Sequence, residues 1–383
     1  MDLIQASFVL FLSYYFTLKL AKYFKLNKKI ITILFIYKTI ISIIYIPISM
    51  NLSLDAFGYW GTALSQDYAF FSTDLISSIN KFLREYFYFN FYSMTFFFSF
   101  IGNVGTLALA SNIKTLTKNI TGPLNYLCEL VIFFPTLNIW TTAIGKDAIT
   151  FACINLIIYS LINIKSRIVI LLISAILFSL VRPFVGIVIF FSLTIAIITK
   201  ANLSLINKLF VGILSFTGLI TINFFNSGSK YFNKLNIFDT NYELIAQGVK
   251  YYSEVTSLGN NAIGLSEMSF PLKVFSYMFR PLFFDVRDFY TLLMSFENLI
   301  ILLIFLYLVT KIFKYLITKT FKFNSLSLFL SIYLTICWIF YSFTIANLGT
   351  ANRYKLMFLP ALISLSLIFT NGSHVSVNKK YLK

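Results

Sequence analysis

The sequence predicts an all-α, polytopic integral membrane protein of about eleven transmembrane helices, with two longer outward-facing loops that carry short interfacial helices. Three observations predict it. The chain of 383 residues is 58% hydrophobic and only 12% charged, and at a mean hydropathy of +0.81 no polar stretch is long enough for a soluble domain. Apolar runs of span length recur from end to end. Basic residues crowd onto alternate connections between those runs.

Taken in order, a window of about 19 residues places spans near 3–20, 30–50, 91–112, 123–138, 148–164, 168–182, 184–199, 208–225, 290–310, 325–346 and 356–371. The first lacks a basic leading region and a small-residue cleavage site and is expected to be a retained helix. One set of connections holds Lys19, Lys22, Lys25, Lys28 and Lys29, then Lys114 and Lys118, Lys165 and Arg167, Lys200 and Lys208, Lys311, Lys314, Lys319 and Lys322, and the tail Lys379, Lys380 and Lys383. That set carries no Asp or Glu. The opposite set holds the acids, leaving only Glu129 and Glu297 inside spans. Basic loops stay cytoplasmic, so residues 1–383 are expected to form one transmembrane domain with its amino terminus outside, its carboxyl terminus inside and an odd number of crossings.

The net charge of +17 is accounted for by span-flanking residues next to anionic lipid, and no nucleic-acid partner is expected. Cys128, Cys153 and Cys337 show no pairing or metal-ligand spacing and read as packing residues. His374 lies in the tail. No phosphate-binding loop, dinucleotide fingerprint, metal cluster or nucleophile elbow is present, so neither cofactor nor metal is expected.

Two outward connections, 51–90 and 226–289, are long, which places any chemistry outside. Residues 77–89 mix aromatic and charged side chains as an interfacial helix does; 226–229 and 258–264 read as turns. Within the first loop, Asp55 stands beside Tyr59 and Trp60. It either caps an interfacial helix or takes a proton from a sugar hydroxyl while the two rings stack on sugar faces.

Ionisable groups at membrane depth cost about 2.5–3.5 kcal/mol each and need a partner. The junction 134–148 holds Pro135, Trp140, Thr141, Thr142, Lys146 and Asp147, which suits either a polar hairpin cap anchored by Trp140 or a substrate-facing lip. Arg182, in the turn Arg182-Pro183, has two short apolar arms and so reads as an arginine awaiting an anion or one reaching for headgroups. Arg280-Pro281 precedes Asp285, Arg287 and Asp288; either acid can neutralise Arg287, whereas Arg280 has no obvious local partner. Arg353 and Lys355 fall on a tight outward turn. Glu297 and Lys38 are the remaining intramembrane charges, and a Glu297 pair with Lys38 or with an arginine is expected. Guanidinium groups at this level suit a lipid diphosphate, because they bind phosphate oxygens bidentately and keep their charge when desolvated.

Asp55 with Tyr59 and Trp60, the stretch from Pro135 to Asp147, Arg182-Pro183, Arg280-Pro281 with Glu297 downstream, and the turn from Asn347 to Arg353 together resemble bacterial oligosaccharide repeat-unit polymerases of the O-antigen, Wzy-like kind, within the broader GT-C-type membrane glycosyltransferases. The resemblance implies a bacterial cytoplasmic membrane, an undecaprenyl-diphosphate-linked glycan as substrate, and a flippase and chain-length regulator as partners besides membrane lipids. It implies that Arg182, Arg280 and Arg353 bind the diphosphate and that Asp55 assists the acceptor hydroxyl. Tyr59, Trp60, Trp140, Lys146, Asp147, Arg287 and Lys355 would then line the substrate site. A lipid-linked oligosaccharide flippase or other secondary transporter is the alternative; it calls for related halves and charges near mid-membrane.

Overall fold

The computed structural model describes residues 2–52, 54–118, 122–201 and 268–371, with a few isolated positions between 204 and 264. Among the described residues the chain is all helix and turn, with no strands. The expected span 208–225, the turns 226–229 and 258–264, and the basic tail lie outside them. Seven helices are long and apolar enough to cross a membrane: α1 (Asp2–Tyr23), α2 (Lys28–Asn51), α5 (Phe91–Leu116), α9 (Ile164–Val181), α10 (Pro183–Lys200), α12 (Phe289–Thr318) and α13 (Ser325–Thr344). Between α2 and α5 lie the short α3 (Asp55–Gly61) and the amphipathic α4 (Ser72–Phe87).

Among the described residues the count reaches seven or eight and does not confirm about eleven, in part because 208–225 lies almost wholly outside them. A continuous helix is absent at 123–138, where the chain runs as α6 (Pro123–Leu130), a 3-10 turn and α7 (Pro135–Trp140). Proline opens both α6 and α7, and the residue before a proline is driven out of the helical region; Phe134 accordingly has ψ 122°. Helix α8 (Lys146–Ile162) has 17 residues, about 26 Å at 1.5 Å per residue, at the short end of the spanning range, and most of its residues are buried against neighbouring helices. The last expected span is a bent pair, Leu348–Met357 and Leu359–Thr370, turned by 56°. It comprises α14 (Leu348–Tyr354), a 3-10 turn and α15 (Leu359–Asn371), and counted as one crossing it makes an eighth span.

By internal contacts the chain divides into two compact units, Met1–Gly186 with Thr370–Lys383, and Ile187–Phe369. In the first, α5 is the central column, flanked by α1, α2 and α8, with α9 against α8. Close approach depends on small residues, as is usual where helices meet without a hydrophobic driving force. A Cβ on Gly105 would come 2.7 Å from the Phe151 ring, and one on Gly102 would come 2.8 Å from Thr141 Cβ. Buried side-chain hydrogen bonds tie the column to its neighbours: Asn103 Nδ2 donates to Thr17 Oγ1 at 2.8 Å and Asn112 Nδ2 to the Asn155 carbonyl at 2.9 Å.

The two ends of this unit differ in charge. At one end Lys114 Nζ donates to the Lys25 carbonyl at 2.6 Å, Tyr159 packs on Phe24 with centroids 4.9 Å apart, and Arg167 lies 3.6 Å above the Tyr159 ring. The basic junctions α1–α2, α5–α6 and α8–α9 therefore share that end. At the other, Gln5 Nε2 donates to the Phe87 carbonyl at 2.8 Å and Asn90 Nδ2 to that of Asp2 at 2.9 Å. Asp55, Asp67, Asp74 and Glu85 belong to the segment gathered there. Helix α4 buries Ile76, Asn80 and Leu83 and exposes Phe82, Tyr86 and Phe87, the division an interfacial helix requires.

In the second unit α11 (Phe270–Phe279) packs on α13, joined by a bond of 2.9 Å from Trp338 Nε1 to the Val274 carbonyl. At the bend between α14 and α15, Tyr333 Oη donates to the Met357 carbonyl at 3.0 Å. That bond satisfies one of the carbonyls that an interrupted helix releases.

Gly102→Ala forces Thr141 off α5 and lowers the thermal unfolding midpoint of detergent-purified protein, at a cost of about 1–3 kcal/mol. Gly58→Ala, with open space around it, leaves the midpoint undiminished.

Candidate functional site

The first charged cluster is built by the break in the chain at 131–145. Thr141 and Thr142, both fully buried, do not reach the acidic end of the unit. Thr142 Oγ1 lies 3.4 Å from Ser99 Oγ, and Ser99 in turn 3.0 Å from Ser42 Oγ. Ser99 is eight residues into α5 from Phe91, about 12 Å along the axis. Helix α8 thus starts at a recessed level. Its first turn carries Asp147, where the partial positive charge of a helix amino terminus favours a carboxylate.

Arg182 closes α9 ahead of Pro183 and donates from Nη2 to Asp147 Oδ1 at 2.9 Å, the two side chains being 10% and 3% exposed. The anion that Arg182 was expected to await is thus supplied by the chain. Lys146, expected beside Asp147 as a pair, donates instead to Ser72 Oγ at 3.0 Å, at the start of α4. Lys38, 2% exposed, donates to Thr141 Oγ1 at 2.5 Å. Thr141 passes its own proton to the Leu137 carbonyl at 2.8 Å, so the lysine ties α2 to the broken segment.

Around the first loop, Asp55 is exposed in the first turn of α3 and Tyr59 is half-buried. Trp60 is not an open platform for a sugar. Its indole donates to the Phe89 carbonyl at 3.3 Å, Phe57 stacks beside it at 6.0 Å, and the Arg84 guanidinium sits 4.3 Å over its ring while also donating to the Trp60 carbonyl. Arg84 drew no notice in the sequence because nothing in 77–89 shows that α4 folds back over α3. Trp140 ends α7, half-buried.

The second cluster occupies the second unit at the head of α12. Arg280 does have a local partner: Nε donates to Asp285 Oδ2 at 3.0 Å and Nη2 to Oδ1. The Leu282 amide also donates to Asp285 Oδ2, at 2.9 Å. Burial alone would raise the Asp285 carboxyl, but these hydrogen bonds and the charges of Arg280 and Arg287 hold it below the ordinary carboxylate range. Asp288 caps α12 by accepting from the Thr291 amide at 2.7 Å.

Lys355 is not on an outward turn. It is 2% exposed, and Nζ donates to the Arg280 carbonyl and to Asn298 Oδ1, each at 2.9 Å. Asn298 Nδ2 donates to the Pro281 carbonyl at 2.9 Å. Glu297, 5% exposed, acts electrostatically on the Lys355 ammonium, so a lysine on the bent pair answers it. Arg353 is partly exposed on the last turn of α14 and Arg287 is exposed ahead of α12. The structure therefore joins Arg280, Asp285, Glu297, Asn298 and Lys355, and separately Asp147 and Arg182. Among the described residues no three His, Cys, Asp or Glu side chains gather as a metal site.

Compared with family models, with curated proteins and with solved structures, the chain matches none.

Removing one partner of the buried Arg182–Asp147 pair, by Asp147→Asn or Arg182→Ala, strands the other charge and costs about 3–5 kcal/mol, measurable as a drop in unfolding midpoint. The Asp285 carboxyl binds its proton less tightly folded than at the unfolded value of about 3.9. The stabilisation it contributes is therefore full above that pH and is lost as pH falls through the folded value. In a pH series of unfolding midpoints, the gap between wild type and Asp285→Asn is constant near neutrality and closes below about pH 4.

Proposed function

We propose that the chain is a membrane glycosyltransferase of the oligosaccharide repeat-unit polymerase type. On this reading it transfers a glycan from an undecaprenyl diphosphate carrier to an acceptor sugar at the outer face of a bacterial cytoplasmic membrane. The observation that carries the reading is Arg280. One edge of its guanidinium is held by Asp285 and its side chain remains 20% exposed, so the other edge is left open to an anion. Fixed cationic donors of this kind lower the cost of charge that develops on a departing diphosphate without reorganising at the moment of reaction.

In the proposed step the acceptor hydroxyl attacks the anomeric carbon and the carbon–oxygen bond to the diphosphate breaks. Its electron pair goes to the diphosphate oxygen held by Arg280, and the hydroxyl proton goes to a carboxylate. Arg353, partly exposed on the last turn of α14, is the further cation of the second unit assigned to the lipid-linked substrate. On this reading the basic end of the first unit faces the cytoplasm, with the amino terminus outside and the carboxyl terminus inside. A flippase delivers the substrate and a chain-length regulator acts alongside.

One observation favours a second reading, a lipid-linked oligosaccharide flippase or other secondary transporter. The bent pair α14–α15 carries buried Lys355 opposite Glu297, and interrupted helices with buried charges are how many transporters build a site. The two readings separate in one assay. Purified protein given undecaprenyl-diphosphate oligosaccharide releases free undecaprenyl diphosphate if it polymerises, and Arg280→Ala reduces that release by at least about 100-fold. Movement of the intact lipid between leaflets without release establishes the transporter instead.

A further inference from the structure

Two successive carbonyls, those of Arg280 and Pro281, leave the end of α11 with no helical amide to receive. Both are met by side chains from elsewhere in the second unit: Lys355 Nζ, from the bend after α14, holds the first, and Asn298 Nδ2, from α12, holds the second. Lys355 and Asn298 also bind each other at 2.9 Å, closing a ring of three hydrogen bonds around the loop. A fully buried lysine is a costly way to fasten a loop in an apolar bundle; apolar packing of the same volume serves stability as well or better. Such a residue calls for a purpose other than stability.

That purpose is legible in what the clamp holds. The Arg280 backbone is fixed by Lys355, and its Nε–Nη2 edge by Asp285, itself anchored by the Leu282 amide. A guanidinium has five N–H donors. Two are committed to Asp285, and the remaining three, both on Nη1 and the second on Nη2, meet no protein acceptor among the described residues. They form the end-on edge, which matches two oxygens of one phosphate group. The guanidinium carbon lies over the exposed Phe284 ring, 5.5 Å from its centroid. The resident carboxylate orients the arginine and leaves that edge uncovered.

We propose that Lys355 and Asn298 are positioning residues that hold Arg280 so that its Nη1–Nη2 edge receives one phosphate group of the ligand. The inference rests on the reading of Arg280 as a diphosphate-binding residue and adds how that residue is aimed. Lys355 is then a buried support for the site and makes no contact with substrate.

The test uses the full-length protein in phosphatidylcholine nanodiscs and measures binding of two probes, undecaprenyl diphosphate in the disc and inorganic pyrophosphate in solution. Wild type binds the lipid, and Arg280→Ala, Lys355→Met and Asn298→Leu each weaken binding by about tenfold or more, the worth of a lost hydrogen bond to a charged group. Lys355→Arg, which keeps donors for both acceptors, recovers most of the loss. Unfolding midpoints identify the folded variants. Should the two apolar variants not fold, Asn298→Asp decides, because it keeps an acceptor for Lys355 and gives up the donor to Pro281; it weakens binding several-fold. Wild type that binds neither probe overturns the diphosphate reading itself. Wild type that binds while a folded Lys355 or Asn298 variant binds equally well overturns the positioning role and leaves that reading standing. Binding of pyrophosphate with equal loss in the variants, and none of the lipid, supports the clamp and assigns the ligand to a soluble phosphate.

Discussion

In an apolar helical bundle a buried carbonyl or charge cannot turn to water, so each must find its partner inside the protein. Both charged clusters follow from this constraint. Where the chain breaks a helix, at 131–145 and at 355–358, it exposes backbone groups to an interior that does not tolerate them. Side chains then move in: Tyr37 and Asn138 reach the Phe133 and Ile132 carbonyls at the first break, and Tyr333 reaches the Met357 carbonyl at the second; past the end of α11, Lys355 and Asn298 do the same for the Arg280 and Pro281 carbonyls. Broken helices and buried polar residues thus occur together because each requires the other.

The two Arg–Asp pairs show how burial divides their roles. Arg182 and Asp147 are 10% and 3% exposed, against 20% and 9% for Arg280 and Asp285. The first pair joins the start of α8 to the end of α9 and holds a helix hairpin at a recessed level. The second lies within one short loop, Arg280 to Asp285, where a pair of five-residue separation holds no distant elements together. Its carboxylate takes one edge of the guanidinium and leaves the other for a ligand. An arginine paired with aspartate is therefore compatible with anion binding, provided the pairing uses one edge and the backbone is held from behind.

A recessed charged cluster also changes what kind of molecule can reach it. Asp147 and Lys146 start a helix roughly 12 Å along the bundle axis from the head of α5, and α4 meets that level through Ser72. A soluble anion would have to descend beside the amphipathic helix, whereas a lipid headgroup already resides at the boundary between apolar and polar surface. The exposed Phe82, Tyr86 and Phe87 give α4 the apolar face of an interfacial helix.

Composition and period determined the class, because a spanning helix needs about 20 apolar residues and the alternation of basic connections survives any packing. They were enough for α1, α2, α5, α9, α10, α12 and α13 and for the amphipathic character of 77–89. They could not reveal that Pro123 and Pro135 break a span, since hydropathy averages over a bend that backbone sterics impose. Partners were decided only by the tertiary structure. Asp147 pairs with Arg182, 35 positions away, rather than with adjacent Lys146, and Lys355 turns inward to a carbonyl 75 positions away. Charge pattern ranks neighbours by sequence distance, whereas desolvation rewards whichever acceptor the packed helices bring within hydrogen-bond reach.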